Sequence, residues 1–330
     1  YQAIARGADG IVYFRWRTCR TGTEQYWHGV LDHHGIPGRR YREAAGMGAE
    51  LQKIGATIEG SQVRAQVAVM QSYDTRFAFQ VQPNNPRFGY EAHVQDLYRP
   101  LHEANVLVDI VSEEDPLTGY RLVLVPAMYV LCPNTASQLE AFAASGGVAV
   151  FTPRTGVKDE WNAVVENRLP GLVAEMCGVE VEEYVSMPTD EDGGVVLDLP
   201  GCGEELAASV WADVLAPTTA RVVGRYTRDY YAEQAAVTVN EWGDGKVVYV
   251  GTMGEASLYR ALGQWVLDLA AVEPLLRAPP DVEIAARWRG EERLLFALNH
   301  AAESRQLVLD RPYRELLSEA QVSGSLDLAA

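Results

Sequence analysis

Short runs of branched and aromatic residues alternate along the chain with longer segments whose apolar positions recur every three or four residues. That is the rhythm of strands separated by helices. Tyr1 to Gly7 reads as the last turns of a helix stopped at a C-cap glycine, and GIVYFRWR (Gly10 to Arg17) as a buried strand. A polar, glycine-bearing loop follows, and Tyr41 to Ile54 has the Ala, Met and Leu content of a helix. From Val63 a second series begins. RAQVAVM predicts a strand, and Tyr90 to Asn105 a helix with Val94, Leu97, Leu101 and Ala104 on one stripe. Strands VLVDIV and YRLVLVPA, a helix from Asn134 to Ala144, and strand VAVF come next. Strands spaced by single helices predict a doubly wound parallel sheet.

The segments between these elements are less regular. Gln71 to Gly89, with Pro83-Asn84-Asn85-Pro86, is expected to be a long functional or interfacial loop. Thr155 to Leu215 is expected to form insertions around the sheet, with an acidic turn at Asp190-Glu191-Asp192-Gly193-Gly194. AVTVN and KVVYVGT flank Gly243-Asp244-Gly245 as a hairpin, and Ser257 to Leu269 predicts a closing helix. After Ala278-Pro279-Pro280, the runs VEIAARWR, RLLFALNH and RQLVLD predict a small antiparallel β domain. The expected division is residues 1–60, 61–276 and 277–330.

Composition narrows the partners. Lys and Arg number 28 against 45 Asp and Glu, a net charge of -17 that would repel nucleic-acid phosphates and anionic lipid. A neutral partner such as a sugar fits better. No apolar run approaches the roughly 20 residues that span a bilayer, so no membrane insertion is expected. Cys19, Cys132, Cys177 and Cys202 lie far apart with no CxxC pair, and are expected to be buried free thiols. The six histidines do not cluster with them, and the His33-His34 doublet lacks the spacing of a zinc motif. No metal or other cofactor is expected.

GADGIVYFRWRTCRTGTEQYWHGVLDHHGIPGRRYRE, with FRWR followed closely by EQ and HG, resembles the last strand and following loop of the catalytic barrel in β-galactosidases of glycoside hydrolase family 42. Further on, LVPAMYVL, VAVFTPRTG and LLFALNH match the order of that family's later domains. The resemblance implies an α/β chain in three parts. These are the last βα unit of a (β/α)8 TIM barrel, a flavodoxin-like or class I glutamine-amidotransferase-like doubly wound domain, and the small antiparallel β domain. It implies hydrolysis of terminal non-reducing β-D-galactose by a retaining double displacement between two glutamates roughly 5–5.5 Å apart. Both glutamates would precede Tyr1, so no catalytic residue is expected in this chain and no turnover by it alone. A homotrimer built through the middle domain, and a cytoplasmic enzyme, are implied as well. The family's metal-binding cysteine cluster belongs to the barrel, and none of the four cysteines here matches it.

What the resemblance carries over is a sugar-binding pair placed on Glu24 and His28. A carboxylate accepts hydrogen bonds from vicinal hydroxyls, and an imidazole can donate or accept one. Many family members separate the pair by three positions; here the gap is four, which leaves open whether Trp27 has taken part of the role. Trp16, Tyr26 and Trp27 are candidates to stack on a sugar's apolar face, with core packing as the alternative for Trp16. Arg15 and Arg17 share a strand face, where either could orient a site carboxylate or close the barrel by an ion pair. Two rival readings stand beside the hydrolase: a non-catalytic carbohydrate-binding or oligomerisation protein, and an amidotransferase-like hydrolase with Cys132 as nucleophile. The second is disfavoured by Leu131-Cys132-Pro133-Asn134, which lacks the small residues of a nucleophile elbow.

Overall fold

The chain opens with helix α1 (Gln2–Ala5), and the Ala-rich segment after the polar loop forms α2 (Arg39–Ile58). The computed structural model describes residues 1–187 and 193–329. Between the two helices the expected strand Gly10 to Arg17 does not form. Its single bridge, among the described residues, joins Arg17 in parallel to Leu31, and Val12 is 96% exposed. A run becomes a strand only when its N–H and C=O groups pair with a neighbouring strand. The branched residues supply the propensity here, but the pairing is missing.

Among the described residues, the second series forms one mixed sheet of eleven strands. Its parallel side consists of β1 (Val67–Met70), β2 (Val108–Val111), β3 (Leu122–Val125) and β4 (Val148–Phe151), paired in the order β2-β1-β3-β4. The continuous apolar runs are explained by burial on both faces. Val67, Val69, Leu122, Leu124, Val148 and Val150 pack on one side, while Ala68, Met70, Val123, Val125, Ala149 and Phe151 pack on the other. Helices α3 (Tyr73–Val81) and α4 (Tyr90–Glu103) supply Ala78, Phe79, Val94, Leu97 and Leu101 to the first face. Helix α5 (Pro133–Ala144) and the short α6 (Ala174–Cys177) cover the second. This side is doubly wound, as the pattern predicts.

The other side departs from it. The irregular stretch expected as insertions is instead sheet: β5 (Val179–Ser186), β6 (Gly193–Leu197) and the long β7 (Leu206–Pro217). With β8 (Arg221–Tyr226), β9 (Ala235–Trp242) and β11 (Thr252–Gly254) they build an antiparallel extension. The junction is β10 (Gly245–Val250), parallel to β4 on one edge and antiparallel to β9 on the other. The hairpin at Gly243 is therefore present, and helix α7 (Ala256–Leu269) closes the first face with Leu258, Leu262 and Val266. Residues 190–192 of the expected acidic turn lie outside the described residues; Gly193 and Gly194 begin β6.

The expected long loop from Gln71 to Gly89 contains helix α3, capped by Ser72, whose hydroxyl accepts from the Thr75 N–H at 3.2 Å. What remains of the loop is fixed by buried Asn85. Its amide donates to Ser186 Oγ, Met187 O and Val210 O at 2.8–3.1 Å, and its carbonyl accepts from the Arg87 N–H.

Residues 65–274 form one unit; residues 1–64 form another with 275–330. In the latter, β12 (Val282–Arg289) and β13 (Glu292–Asn299) make a hairpin, β14 (Arg305–Val308) pairs with β17 (Ser325–Leu328), and β15 (Tyr313–Arg314) pairs with β16 (Gln321–Val322). All pairs are antiparallel. Arg287, 1% exposed, donates to the carbonyls of Ile4, Ala8 and Ser61 and pairs with Asp9 at 2.7 Å. Buried Glu283 takes hydrogen bonds from Gln2, Arg6 and His300. The first nine residues are thus held by the C-terminal strands.

Candidate functional site

The loop after Arg17 is shaped by a close backbone approach. Thr18 Oγ1 donates to Leu31 O at 3.1 Å and accepts from Gly29 N at 2.9 Å. A Cβ on Gly29 would stand 2.6 Å from Thr18 N, so only glycine fits. That contact fixes the neighbouring His28. Glu24 lies in a 3-10 turn, Thr23–Tyr26, entered through Gly22 at φ +80.

The two expected site residues do different things. His28 lines an open recess of about 320 Å3 together with Tyr13, Phe14, Arg15, Arg40 and Glu43. Glu24 is outside that lining, but its Oε2 pairs with Arg15 Nη2 at 2.6 Å. Arg15 is common to both, a link that sequence reading left undecided between Arg15 and Arg17. Arg17 turns elsewhere and donates to His33 O at 3.1 Å. Arg40 joins Asp32 in an ion pair. The aromatic side chains are on the surface: Trp27 meets Phe14 edge-on at 6.4 Å and Trp16 meets Tyr41 at 5.9 Å, and Trp16, Tyr26 and Trp27 are all exposed.

Three family descriptions match the chain in sequence: "Beta-galactosidase" over residues 1–54, "Beta-galactosidase trimerisation domain" over 65–273, and "Beta-galactosidase C-terminal domain" over 281–330. The chain belongs to glycoside hydrolase family 42. Among its relatives are the β-galactosidase BgaA of Clostridium cellulovorans, 33% identical over 92% of this chain and 45% of the relative. The β-galactosidase Bga of Halorubrum lacusprofundi is 37% identical over 87% of this chain and 42% of the relative. The crystal structure of β-galactosidase from Bacillus circulans sp. alkalophilus superposes with a TM-score of 0.97 at 31% identity, over all of this chain and 50% of that one. The chain spans about half the length of the curated relatives it matches.

In this family 42 chain, Cys132 of the middle unit is not an activated thiol. Cys132 caps α5 ahead of Pro133, burial pushes its thiol up, and the charges of Glu160, Glu113, Asp74 and Asp159 push the same way. The sharp turn after β3 falls instead at Ala127, at φ +37, which has no nucleophile to present. The fully buried imidazole of His93 is spent between Thr152 Oγ1 and Tyr259 Oη, and burial pushes its pKa down to about 3. All four cysteines are free, as expected, but only Cys177 is buried; the other three are partly exposed.

Proposed function

We propose that this chain is the C-terminal half of a retaining β-galactosidase and that Glu24 and His28 help to hold the galactosyl unit in the full-length enzyme. The observation that carries the reading is the unbroken order of the three family matches from residue 1 to residue 330, with relatives above 30% identity across the chain. Residues 1–60 would then be the last βα unit of a TIM barrel, where GIVYFRWR would find the neighbours it lacks. The two catalytic glutamates would come from the rest of that barrel, outside these 330 residues. The middle domain would assemble the enzyme as a homotrimer in the cytoplasm.

Chemically, Arg15 holds the Glu24 carboxylate from one side and leaves its other lone pairs for sugar hydroxyls, while His28 faces the recess next to it. The test is kinetic. In the full-length enzyme, Glu24→Ala should lower kcat/KM for a galactoside about ten- to a hundredfold, the loss of one charged hydrogen-bond partner worth roughly 1.5–3 kcal/mol. His28→Ala should behave alike, and Cys132→Ala should leave activity nearly unchanged. Wild-type kinetics for Glu24→Ala together with impaired Trp27→Ala would move the site to the aromatic residue.

A further inference from the structure

The core does not hold the turn that carries Glu24. Thr23–Tyr26 has no buried residue, and its own backbone bonds run from Gln25 N to Gly22 O and from Trp27 N to Glu24 O. The frame beside it is firmer. Val30 N donates to Arg15 O, Leu31 N to Trp16 O and Thr18 N to Leu31 O, at 2.7–2.9 Å, and the Leu31 side chain is buried. Each of the two segments joined in this way sends one side chain to the turn. From the first, Arg15 grips the Glu24 carboxylate. The second continues into a tight bend, closed by Gly35 N on Asp32 O at 2.9 Å with Gly35 at φ +70. From that bend His33 places its Nε2 2.7 Å from Gln25 O. A carbonyl oxygen only accepts, so Nε2 is the donor. His33 is itself held from behind: Arg17 Nε donates to His33 O at 3.1 Å, and neighbouring Asp32 pairs with Arg40 of α2. The histidine doublet thus divides its work, for His34 Nδ1 accepts from Ile36 N within its own bend.

We propose that His33 is a positioning residue for sugar binding: its hydrogen bond to Gln25 O fixes the turn so that Glu24 and His28 address the same galactosyl unit. The inference rests on the assignment of Glu24 and His28 made above. Arg15 by itself leaves the turn a freedom, because one ion pair to one carboxylate oxygen is a pivot. A second tie, to the main chain of the next residue, removes that rotation and acts on the backbone leading to His28 as well. An exposed neutral hydrogen bond adds little to folding, since water replaces it in the unfolded chain. Its consequence lies in geometry, where a displacement of about 1 Å costs up to roughly a hundredfold in rate. The loss on removing His33 should stay below that on removing Glu24, because a loosened turn still carries its carboxylate.

The experiment measures kcat/KM for a galactoside in the full-length enzyme. His33→Ala should lower it roughly two- to tenfold, the range of one neutral hydrogen bond. The melting temperature should not change, because the His33 side chain is exposed. His33→Gln, whose amide can donate to the same carbonyl, should recover most of the loss. In a Glu24→Ala background, His33→Ala should cost less than it does in the wild type, because the turn no longer presents a carboxylate. Wild-type kinetics for His33→Ala beside an impaired Glu24→Ala would overturn the role of His33 and leave the sugar site standing. Wild-type kinetics for Glu24→Ala would overturn the site itself. Fully additive losses, or a His33→Gln as impaired as His33→Ala, would also overturn the positioning role, the first because His33 then acts apart from Glu24, the second because a donor to Gln25 O is then not what matters.

Discussion

A single carboxylate shows how position changes chemistry. Glu283 is buried in the C-terminal strands, and burial alone would raise its pKa; the hydrogen bonds from His300, Arg6 and Gln2 outweigh it and hold the carboxyl below the usual glutamate range. The folded state therefore binds this proton less readily than the unfolded state. Its stabilisation is present above the unfolded glutamate value, near 4.3, and is lost as the pH falls through the lowered folded value. Denaturant midpoints measured from neutral pH down through that window should drop less steeply for Glu283→Gln than for the wild type, and the variant should be the less stable of the two at neutral pH. Parallel curves would assign the acid sensitivity to other groups. Arg15 offers a contrast. Its pair with Glu24 is partly exposed, so Arg15→Ala should cost under about 1 kcal/mol of stability.

Among the elements, the hairpin of β9 and β10 joins the two halves of the sheet. Its entry depends on glycine: a Cβ on Gly245 would stand 2.2 Å from the carbonyl oxygens of both Ala143 and Gly147. Gly245→Ala must push backbone apart where α5 ends and β4 begins, and should cost about 1–3 kcal/mol, read as a lower melting temperature of the middle unit. A cost near zero would show that this corner can relax. The same scale explains α3. Its apolar stripe of Tyr73, Phe77 and Val81 faces outward, so the periodicity that identifies a helix by its buried side is inverted there, and the Pro83-Asn84-Asn85-Pro86 signal downstream makes the whole segment look like a loop.

For the whole molecule, the proposed division of labour has a direct consequence. The purified chain alone should leave a chromogenic β-galactoside intact, because removing the members of a catalytic pair that work as a unit costs many orders of magnitude in rate. Turnover at an enzymatic rate, surviving repeated purification from host enzymes, would locate a catalytic pair within residues 1–330. The net charge of -17 adds nothing to binding a neutral sugar, but it sets a repulsion that any self-association has to overcome. Assembly should therefore strengthen as salt screens it.

The sequence by itself determined the parallel half of the sheet, the covering helices α4, α5 and α7, the glycine hairpin and the C-terminal strands. In each, local propensity, periodicity and turn chemistry agree, and burial on two faces is written into uninterrupted apolar runs such as VAVM and LVLV. FRWR with EQ and HG also carried the family. Only the tertiary structure decided the rest. Gly10 to Arg17 is rich in the branched and aromatic residues a strand prefers and is not one, since pairing depends on partners rather than on the run itself. Strands β5 to β7 contain charged and small residues that give little pattern, because they extend a sheet whose register is set by neighbours far along the chain. The link from Glu24 through Arg15 to the His28 recess was likewise invisible, because a 2.6 Å ion pair depends on how the loop closes, and spacing along the chain records none of it.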